Sequence, residues 1–127
     1  MYEQDSLGYR QQYIMQCVWE AGEPVTIQIL LDMLEEKCGQ RFSTGSVNSM
    51  VLKLVDKGYL APAGKIHQSF LFEAAITEEE FELQEIERAK NFTFRGKPSK
   101  LLSALVKTDI SEEELKKMKE ILDRIYE

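Results

Sequence analysis

Apolar and polar residues recur with the period of an α-helix in three successive segments at the start of the chain. The first segment predicts a helix over residues 7–21, which Gly22-Glu23-Pro24 ends. A second helix begins at Val25-Thr26 and ends within residues 37–40. Residues 1–6 precede the periodic pattern and are expected to be frayed.

The third helix is the element on which the rest of the interpretation depends. Ser43 or Thr44 can cap its first free backbone N–H groups, and Gly58 supplies the left-handed residue that ends it. One side of this helix is apolar and is predicted to be buried: Val47, Met50, Val51, Leu54 and Val55. The opposite side is predicted to face water: Ser46, Asn48, Ser49, Leu52, Lys53 and Asp56.

A short β-hairpin is predicted directly after this helix. Tyr59-Leu60 opens an extended segment, Ala63-Gly64-Lys65 has the composition of a tight turn, and residues 66–73 form the returning strand, with Phe70 and Phe72 facing inward. The order α-α-α-β-β is typical of a winged helix-turn-helix, in which the third helix enters the major groove of DNA. The same pattern also occurs in α+β domains that bind no nucleic acid, so the pattern alone leaves both interpretations open.

Three further helices are predicted in the remaining residues. Thr77-Glu78-Glu79-Glu80 and Ser111-Glu112-Glu113-Glu114 each have the form of a capping box, and residues 99–106 form a short helix between the two helices they open. A unit of this size buries little apolar surface by itself, which favours dimerisation. The fold is therefore predicted to be mainly α with a small hairpin: a winged-helix DNA-binding domain over 1–76 and a helical dimerisation domain over 77–127.

The candidate dimer interface consists of apolar residues on the last two helices. These residues are equally compatible with an intramolecular core: Leu101, Leu102, Leu105, Leu115, Met118, Leu122 and Ile125.

The composition fits a soluble globular protein, with 43% hydrophobic and 30% charged residues. The apolar runs are too short to span a membrane, and the acidic N-terminus lacks the features of a secretory signal. Cys17 and Cys38 match no zinc or CxxC spacing, so two free thiols in a reducing cytoplasm are expected. No metal or cofactor is expected, because His67 is the only histidine.

The distribution of charge matters more than its total. The net charge of −6 argues against indiscriminate nucleic-acid binding, which depends on positive charge. From Arg41 to His67, however, four cations face one anion, a local balance of +3. Because salt screens charges over about 8 Å, one face can be positive on an anionic molecule.

Polar and basic residues of the third helix and the hairpin are the candidates for DNA contact. Asn48 can pair with adenine, hydroxyl groups can meet several bases, and lysines can hold phosphates. His67 is equally well explained as a phosphate contact or as an exposed residue. The full candidate set is Arg41, Thr44, Ser46, Asn48, Ser49, Lys53, Lys57, Lys65 and His67.

An enzyme is not indicated by the sequence. The chain has one histidine, no GxSxG sequence, no glycine-rich phosphate loop and no evident pair of catalytic carboxylates. The competing interpretation is a winged-helix module that binds protein and keeps the helix-turn-helix as a scaffold, and the overall acidity favours it.

The motifs in their order resemble the penicillinase-repressor family of bacterial transcription regulators. The resemblance rests on residues 14–26, 46–49, 53–60, 76–80, 94–96, 101–105 and 110–115. It implies a homodimeric repressor whose winged part binds a palindromic double-stranded DNA operator and whose C-terminal helices form the dimer. It further implies, as a possible partner, a regulatory protease that cuts the dimerisation part.

Three departures from the family pattern limit what the resemblance implies. The paired cysteines of copper-responsive members are absent. The Asn-Phe pair cleaved in β-lactam-responsive members would fall at Ser103-Ala104, and the chain's own Asn91-Phe92 is better explained as a helix-ending loop. Lys53 stands where the family usually has arginine, which loses the bidentate contact to phosphate but keeps the charge.

Overall fold

A computed structural model describes residues 7–125 of the chain. Its helices and strands in this range are α1 Tyr9–Ala21, α2 Ile27–Cys38, α3 Thr44–Asp56, β1 Leu60–Ile66, β2 Ser69–Ala74, α4 Glu78–Arg88, α5 Pro98–Leu105 and α6 Glu112–Arg124. A π-helical turn, Ala89–Thr93, continues directly from α4. The predicted mainly α fold with one hairpin is confirmed. The expectation for residues 1–6 lies outside the described residues.

The described residues divide into two compact units, with the boundary between Glu82 and Leu83. The first unit extends into α4 because Phe81 is buried there, with its ring 5.4 Å from that of Trp19 and 6.0 Å from that of Tyr59. The indole N–H of Trp19 also donates to the carbonyl of Ile76 at 2.9 Å. The assignment of DNA binding to 1–76 and of dimerisation to 77–127 stays a prediction.

Helices α2 and α3 begin at hydroxyl residues that cap them, and a glycine follows α3. The hydroxyl of Thr26 accepts from the backbone N–H of Ile29 at the start of α2, and the hydroxyl of Ser43 accepts from Ser46 at the start of α3. Gly58 follows α3 with a φ of 85°, a conformation that side chains disfavour. The α3 boundaries are therefore set locally, as the sequence predicts.

The core of the first unit is formed by the facing sides of α1, α2 and α3. Its fully buried side chains include Ile14, Leu34 and Leu54. On α3, Val47, Val51 and Leu54 are buried, while Met50 and Val55 are partly buried and pack against the core. The predicted apolar side of α3 is thus confirmed, and its packing fixes which side of the helix faces water.

The hairpin turns at a different place from the one predicted. Its two strands are antiparallel, and the turn is formed by His67-Gln68, both with positive φ (48° and 67°). The residues predicted to turn, Ala63-Gly64-Lys65, instead lie within β1, where the register shifts between Pro62 and Lys65. Gly64 has a φ of 98° at this shift. The conformational freedom of the glycine is therefore used at an irregularity within β1 and not at the turn.

The body of the first unit supports only part of the hairpin. Val25 exchanges two backbone hydrogen bonds with Phe72, at 2.9 and 2.8 Å, and Phe72 is buried. Phe70 lies on the same face of β2 but is 60% exposed, so its predicted inward position is wrong. The alternation of the strand is as expected, but the hairpin at Phe70 has already extended beyond the core.

The second unit contains α5, of 8 residues, and α6, of 13 residues. Ser111 caps α6 by accepting from the backbone N–H of Glu114 at 3.2 Å. None of the residues of α5 or of α6 is buried within the described part of the chain. Across residues 7–125, no helix combines the length and apolar character that crossing a bilayer requires.

Candidate nucleic-acid interface

The N-terminal half of α3 presents a polar face to solvent. Thr44, Asn48 and Ser49 are exposed, and Ser46 is partly buried beside the Ser43 cap. The same face continues through Leu52, which is 53% exposed, to Lys53. This arrangement offers amide and hydroxyl groups at the end of a helix whose free N–H groups also favour negative charge.

The hairpin stands beside this face of α3. Asn48 lines a narrow groove of about 180 Å³ together with Gln68, Ser69 and Phe70 of the hairpin and Gln28 near the start of α2. The structure therefore brings Asn48 and the turn of the hairpin to one surface, although Gln68 follows Asn48 by 20 positions in the chain.

Lys65 is held in place on the hairpin by an aromatic ring. Its ammonium group lies 4.6 Å from the centre of the Phe70 ring, and the two residues are partners in the strand register. This cation–π contact explains what the exposed Phe70 does, since the ring stabilises a positive charge at the surface. His67, at the turn, is exposed two residues further along.

The two remaining lysines of the predicted set lie toward the end of α3. Lys53 is exposed, whereas Lys57 caps the C-terminus of the helix and is partly buried. Lys53, Lys57 and Lys65 have the same predicted role, but Lys57 is less accessible to solvent than the other two.

Arg41 is engaged with carboxylates of α2. Its guanidinium donates to Asp32 at 2.9 Å and to Glu35 at 3.0 Å, and these hydrogen bonds raise the pKa of the arginine. A phosphate at this position has to compete with two carboxylates. Arg41 therefore contributes less positive charge to the surface than the count along the sequence indicates.

Arg10 is a candidate that the sequence did not single out. It is exposed near the start of α1, and its guanidinium carbon lies 5.1 Å from the centre of the Phe42 ring, next to the Ser43 cap of α3. The fold thus places an extra cation close to the N-terminus of α3. In the sequence, Arg10 is only a single arginine on a predicted helix. The packing of α1 against α3 is what connects it with this site.

The predicted dimer residues are accessible in the single chain. Leu101 and Met118 are partly buried, and Leu102, Leu105, Leu115, Leu122 and Ile125 are exposed, the last at 70%. On α6, the spacing of Leu115, Met118 and Leu122 places them along one side of the helix.

Both cysteines are free thiols. Cys17 is buried in the core, and burial raises its pKa to about 11, with the charge of Lys37 opposing part of the shift. A thiol in this state is a poor nucleophile at neutral pH, because only the thiolate reacts.

Two solved structures share this fold at low sequence identity. RosR of H. salinarum, in the structure of the hsRosR-SG complex, superposes with a TM-score of 0.56 at 17% identity, covering 98% of this chain and 96% of that chain. A RosR structure from crystals grown from NaBr gives a TM-score of 0.52 at 17% identity, covering 80% of this chain and 89% of that chain. At these identities the likeness establishes the fold alone.

Comparison of the sequence with known proteins identifies the family. A search of curated proteins found no match. The family model described as Penicillinase repressor matches residues 7–124, nearly the whole chain, and so includes both the α3–hairpin surface and the C-terminal helices. The protein is therefore a winged-helix transcription regulator that belongs to the penicillinase repressor family.

Proposed function

We propose that the protein is a homodimeric repressor that binds a palindromic DNA operator and blocks transcription sterically, without chemistry of its own. The observation that carries the proposal is the shared surface of α3 and the hairpin, where Asn48 and the hairpin turn line one groove and Lys65 stands above Phe70. The polar character of this surface suits a helix lying in the major groove with the hairpin beside the DNA backbone.

Each group on this surface has a distinct proposed role. Asn48, Ser49 and Thr44 read base edges, since asparagine pairs with adenine and hydroxyls accept or donate to several bases. Lys53, Lys57 and Lys65 hold phosphates, and Ser46 and His67 lie at the edges of the contact. Arg41 takes part only where a phosphate displaces Asp32 and Glu35 from its guanidinium.

The unburied apolar side of α6 supports the proposed dimer. A short helix in water gains little stability from its own hydrogen bonds, so an amphipathic helix requires a partner surface. None of the residues of α6 is buried in the described part of one chain, although three apolar residues follow one side of it. A second copy of the chain supplies such a partner surface for the apolar side of α6. The resulting dimer also places two α3 helices on one operator, so that each helix reads one half-site.

Proteolytic derepression does not form part of this proposal. Ser103-Ala104 occupies the position of the cleaved pair and lies on α5. The proposal includes a cytoplasmic site of action, because the operator is chromosomal.

The direct test is binding of the full chain to the DNA upstream of its own gene, measured by fluorescence anisotropy against a shuffled duplex of equal length. We expect preferential binding of the upstream fragment. If six to eight phosphates are neutralised per dimer, the slope of log affinity against log salt is roughly −5 to −7. Equal affinity for both duplexes, or a slope near zero, contradicts the proposal.

A second candidate function is favoured by the charge of the molecule. The net charge of −6 and the carboxylates of Asp32 and Glu35 near Arg41 suit a module that binds a basic protein surface rather than DNA. The same experiment distinguishes the two, because such a module gives no preference for the upstream fragment at any salt concentration.

A further inference from the structure

A second concentration of positive charge lies in the C-terminal unit. Between Arg88 and Lys107 the sequence has six cations and no Asp or Glu. Arg88 pairs with Glu85 at 2.6 Å and Lys90 with Glu87 at 2.9 Å, so α4 neutralises these two. The remaining four are exposed and form no ion pair within residues 7–125: Arg95, Lys97, Lys100 and Lys107.

Two of these cations line a concave surface formed by α5 and the residues that flank it. A cavity of about 470 Å³ is lined by Phe94, Ser99, Lys100, Ser103, Ala104 and Lys107. Ser99, Lys100 and Ser103 lie toward one side of α5, and Lys107 lies in the turn that follows the helix, where it lines the same cavity. The cavity therefore combines two ammonium groups, two hydroxyl groups and one aromatic wall, without a carboxylate.

We propose that this cavity binds a small organic anion, with its phosphate or carboxylate group held by Lys100 and Lys107 and its apolar part resting against Phe94. Its volume falls within the range of small-molecule sites, which are concave and carry few, well-placed polar groups. Lysine and serine side chains donate hydrogen bonds to oxyanions, and charge-assisted bonds of this kind are the strong ones. A concave surface with an aromatic wall suits a small ligand better than the extended backbone of a nucleic acid.

The proposed ligand site and the proposed dimer interface occupy different sides of α5. Leu101, Leu102 and Leu105 lie opposite the side formed by Ser99, Lys100 and Ser103, as the helical period requires. A second copy packed on the leucines leaves the cavity open, so the dimer can hold one ligand in each chain. The site would give the regulator an effector position that does not involve α3 or the hairpin.

Calorimetric titration of the full chain, without DNA, tests the proposal. The probes are inorganic phosphate, phenyl phosphate and malonate, at ionic strength matched with sodium chloride. We expect saturable binding with one site per chain, tighter for phenyl phosphate than for inorganic phosphate if the ring contacts Phe94. A higher affinity for malonate than for either phosphate probe would instead assign the site to dicarboxylates. Because DNA is absent, the result does not depend on the proposed repressor function.

Matched variants locate the site. Lys100→Gln and Lys107→Gln are each expected to weaken binding about tenfold or more, since each removes a charge-assisted hydrogen bond. Lys119→Gln on α6 makes the same change in net charge outside the cavity and is expected to leave binding unchanged. Ser103→Ala serves as a second cavity variant that keeps the charge, and circular dichroism confirms that each variant is folded.

Three results would overturn the inference. The first is the absence of saturable binding of all three probes. The second is equal weakening by Lys119→Gln, which would show that only net charge matters. The third is a loss of duplex DNA affinity in the Lys100 and Lys107 variants with no binding of small anions, which would make this surface a contact to the phosphate backbone.

Discussion

Asn48 and Lys65 lie at one surface but are expected to affect DNA binding in different ways. Asn48 presents an amide that can pair with an adenine edge, so Asn48→Ala should change the preference between operator variants and cost about 1–3 kcal/mol at one base pair. Lys65 is proposed to hold a phosphate of the DNA backbone, so Lys65→Ala should weaken binding to all duplexes alike. Anisotropy against a set of single-base operator variants measures both.

Lys119→Gln, far from α3 in the sequence, controls for the change of net charge in the lysine variant. A Lys65→Ala protein with unchanged affinity for every duplex would contradict the role given to the hairpin. An Asn48→Ala protein with an unaltered order of preference would contradict the role given to α3.

Glu80 provides a residue-scale prediction about pH. The N–H of Thr77 donates to its carboxylate at 3.0 Å, while the hydroxyl of Thr77 accepts from the N–H of Glu80 at 3.1 Å. The backbone N–H of Thr77, followed by the Thr77 side chain, stabilises this carboxylate and lowers the pKa of Glu80 below its ordinary value. Folding therefore favours the ionised form, and the resulting stability is present above the unfolded pKa and lost as the pH falls through the folded pKa.

Glu80→Gln should accordingly lower the thermal unfolding midpoint at neutral pH and have little effect at a pH below the carboxyl range. Glu79→Gln changes the same charge in the same helical turn without touching the capping box, and it serves as the control. An effect of Glu80→Gln that persists undiminished at low pH would show that the capping box does not depend on the ionised carboxylate.

At the scale of elements, the helices follow from local sequence and the hairpin turn does not. Hydroxyl caps, glycine ends and helical periodicity are short-range signals, and they predict α1, α2 and α3 closely. Gly64 is a strong local turn signal, but the structure uses its positive φ inside β1. His67-Gln68 is not one of the glycine-containing pairs that mark a two-residue hairpin turn, so the sequence gives no cue that the turn lies there.

This strained turn predicts a stabilising substitution. Gln68 has a φ of 67°, which costs a residue with a side chain about 1–2 kcal/mol and costs glycine little. Gln68→Gly should therefore raise stability by about 0.5–1 kcal/mol in denaturant unfolding. Ser69→Gly, one residue later within β2, is the control and should lower stability, because glycine weakens a strand interior. A destabilised Gln68→Gly protein would contradict the positive-φ turn.

Tertiary placement is the part of the site that sequence could not supply. The contact of Arg10 with Phe42 and the pairing of Arg41 with two carboxylates both depend on how α1 and α2 pack beside α3. Counting charges along the chain therefore missed Arg10 as a candidate and overestimated the positive charge that Arg41 contributes to the surface. The side of α3 that faces water was predictable, because helical period and burial determine it together.

At the scale of the whole molecule, an anionic chain has two stretches in which cations outnumber carboxylates, and several of its exposed apolar residues lie on α5 and α6. The proposed dimer explains the apolar residues. Leu115→Lys together with Leu122→Lys should shift the full chain from dimer to monomer in sedimentation velocity, since two charges cannot be buried unpaired in an interface. Ile29→Lys, at an exposed apolar position on α2, is the control and should leave the dimer intact. A dimer unaffected by both leucine substitutions would place the interface elsewhere.

The most direct measurement of the central claim is selection of binding sequences by the full chain from a library of random duplexes. The account predicts enrichment of one sequence with two-fold symmetry, whose half-sites are read by the two α3 helices of a dimer. It also predicts that the Asn48→Ala protein enriches a different or degenerate sequence. Recovery of no preferred sequence, or of a sequence without internal symmetry, would contradict it.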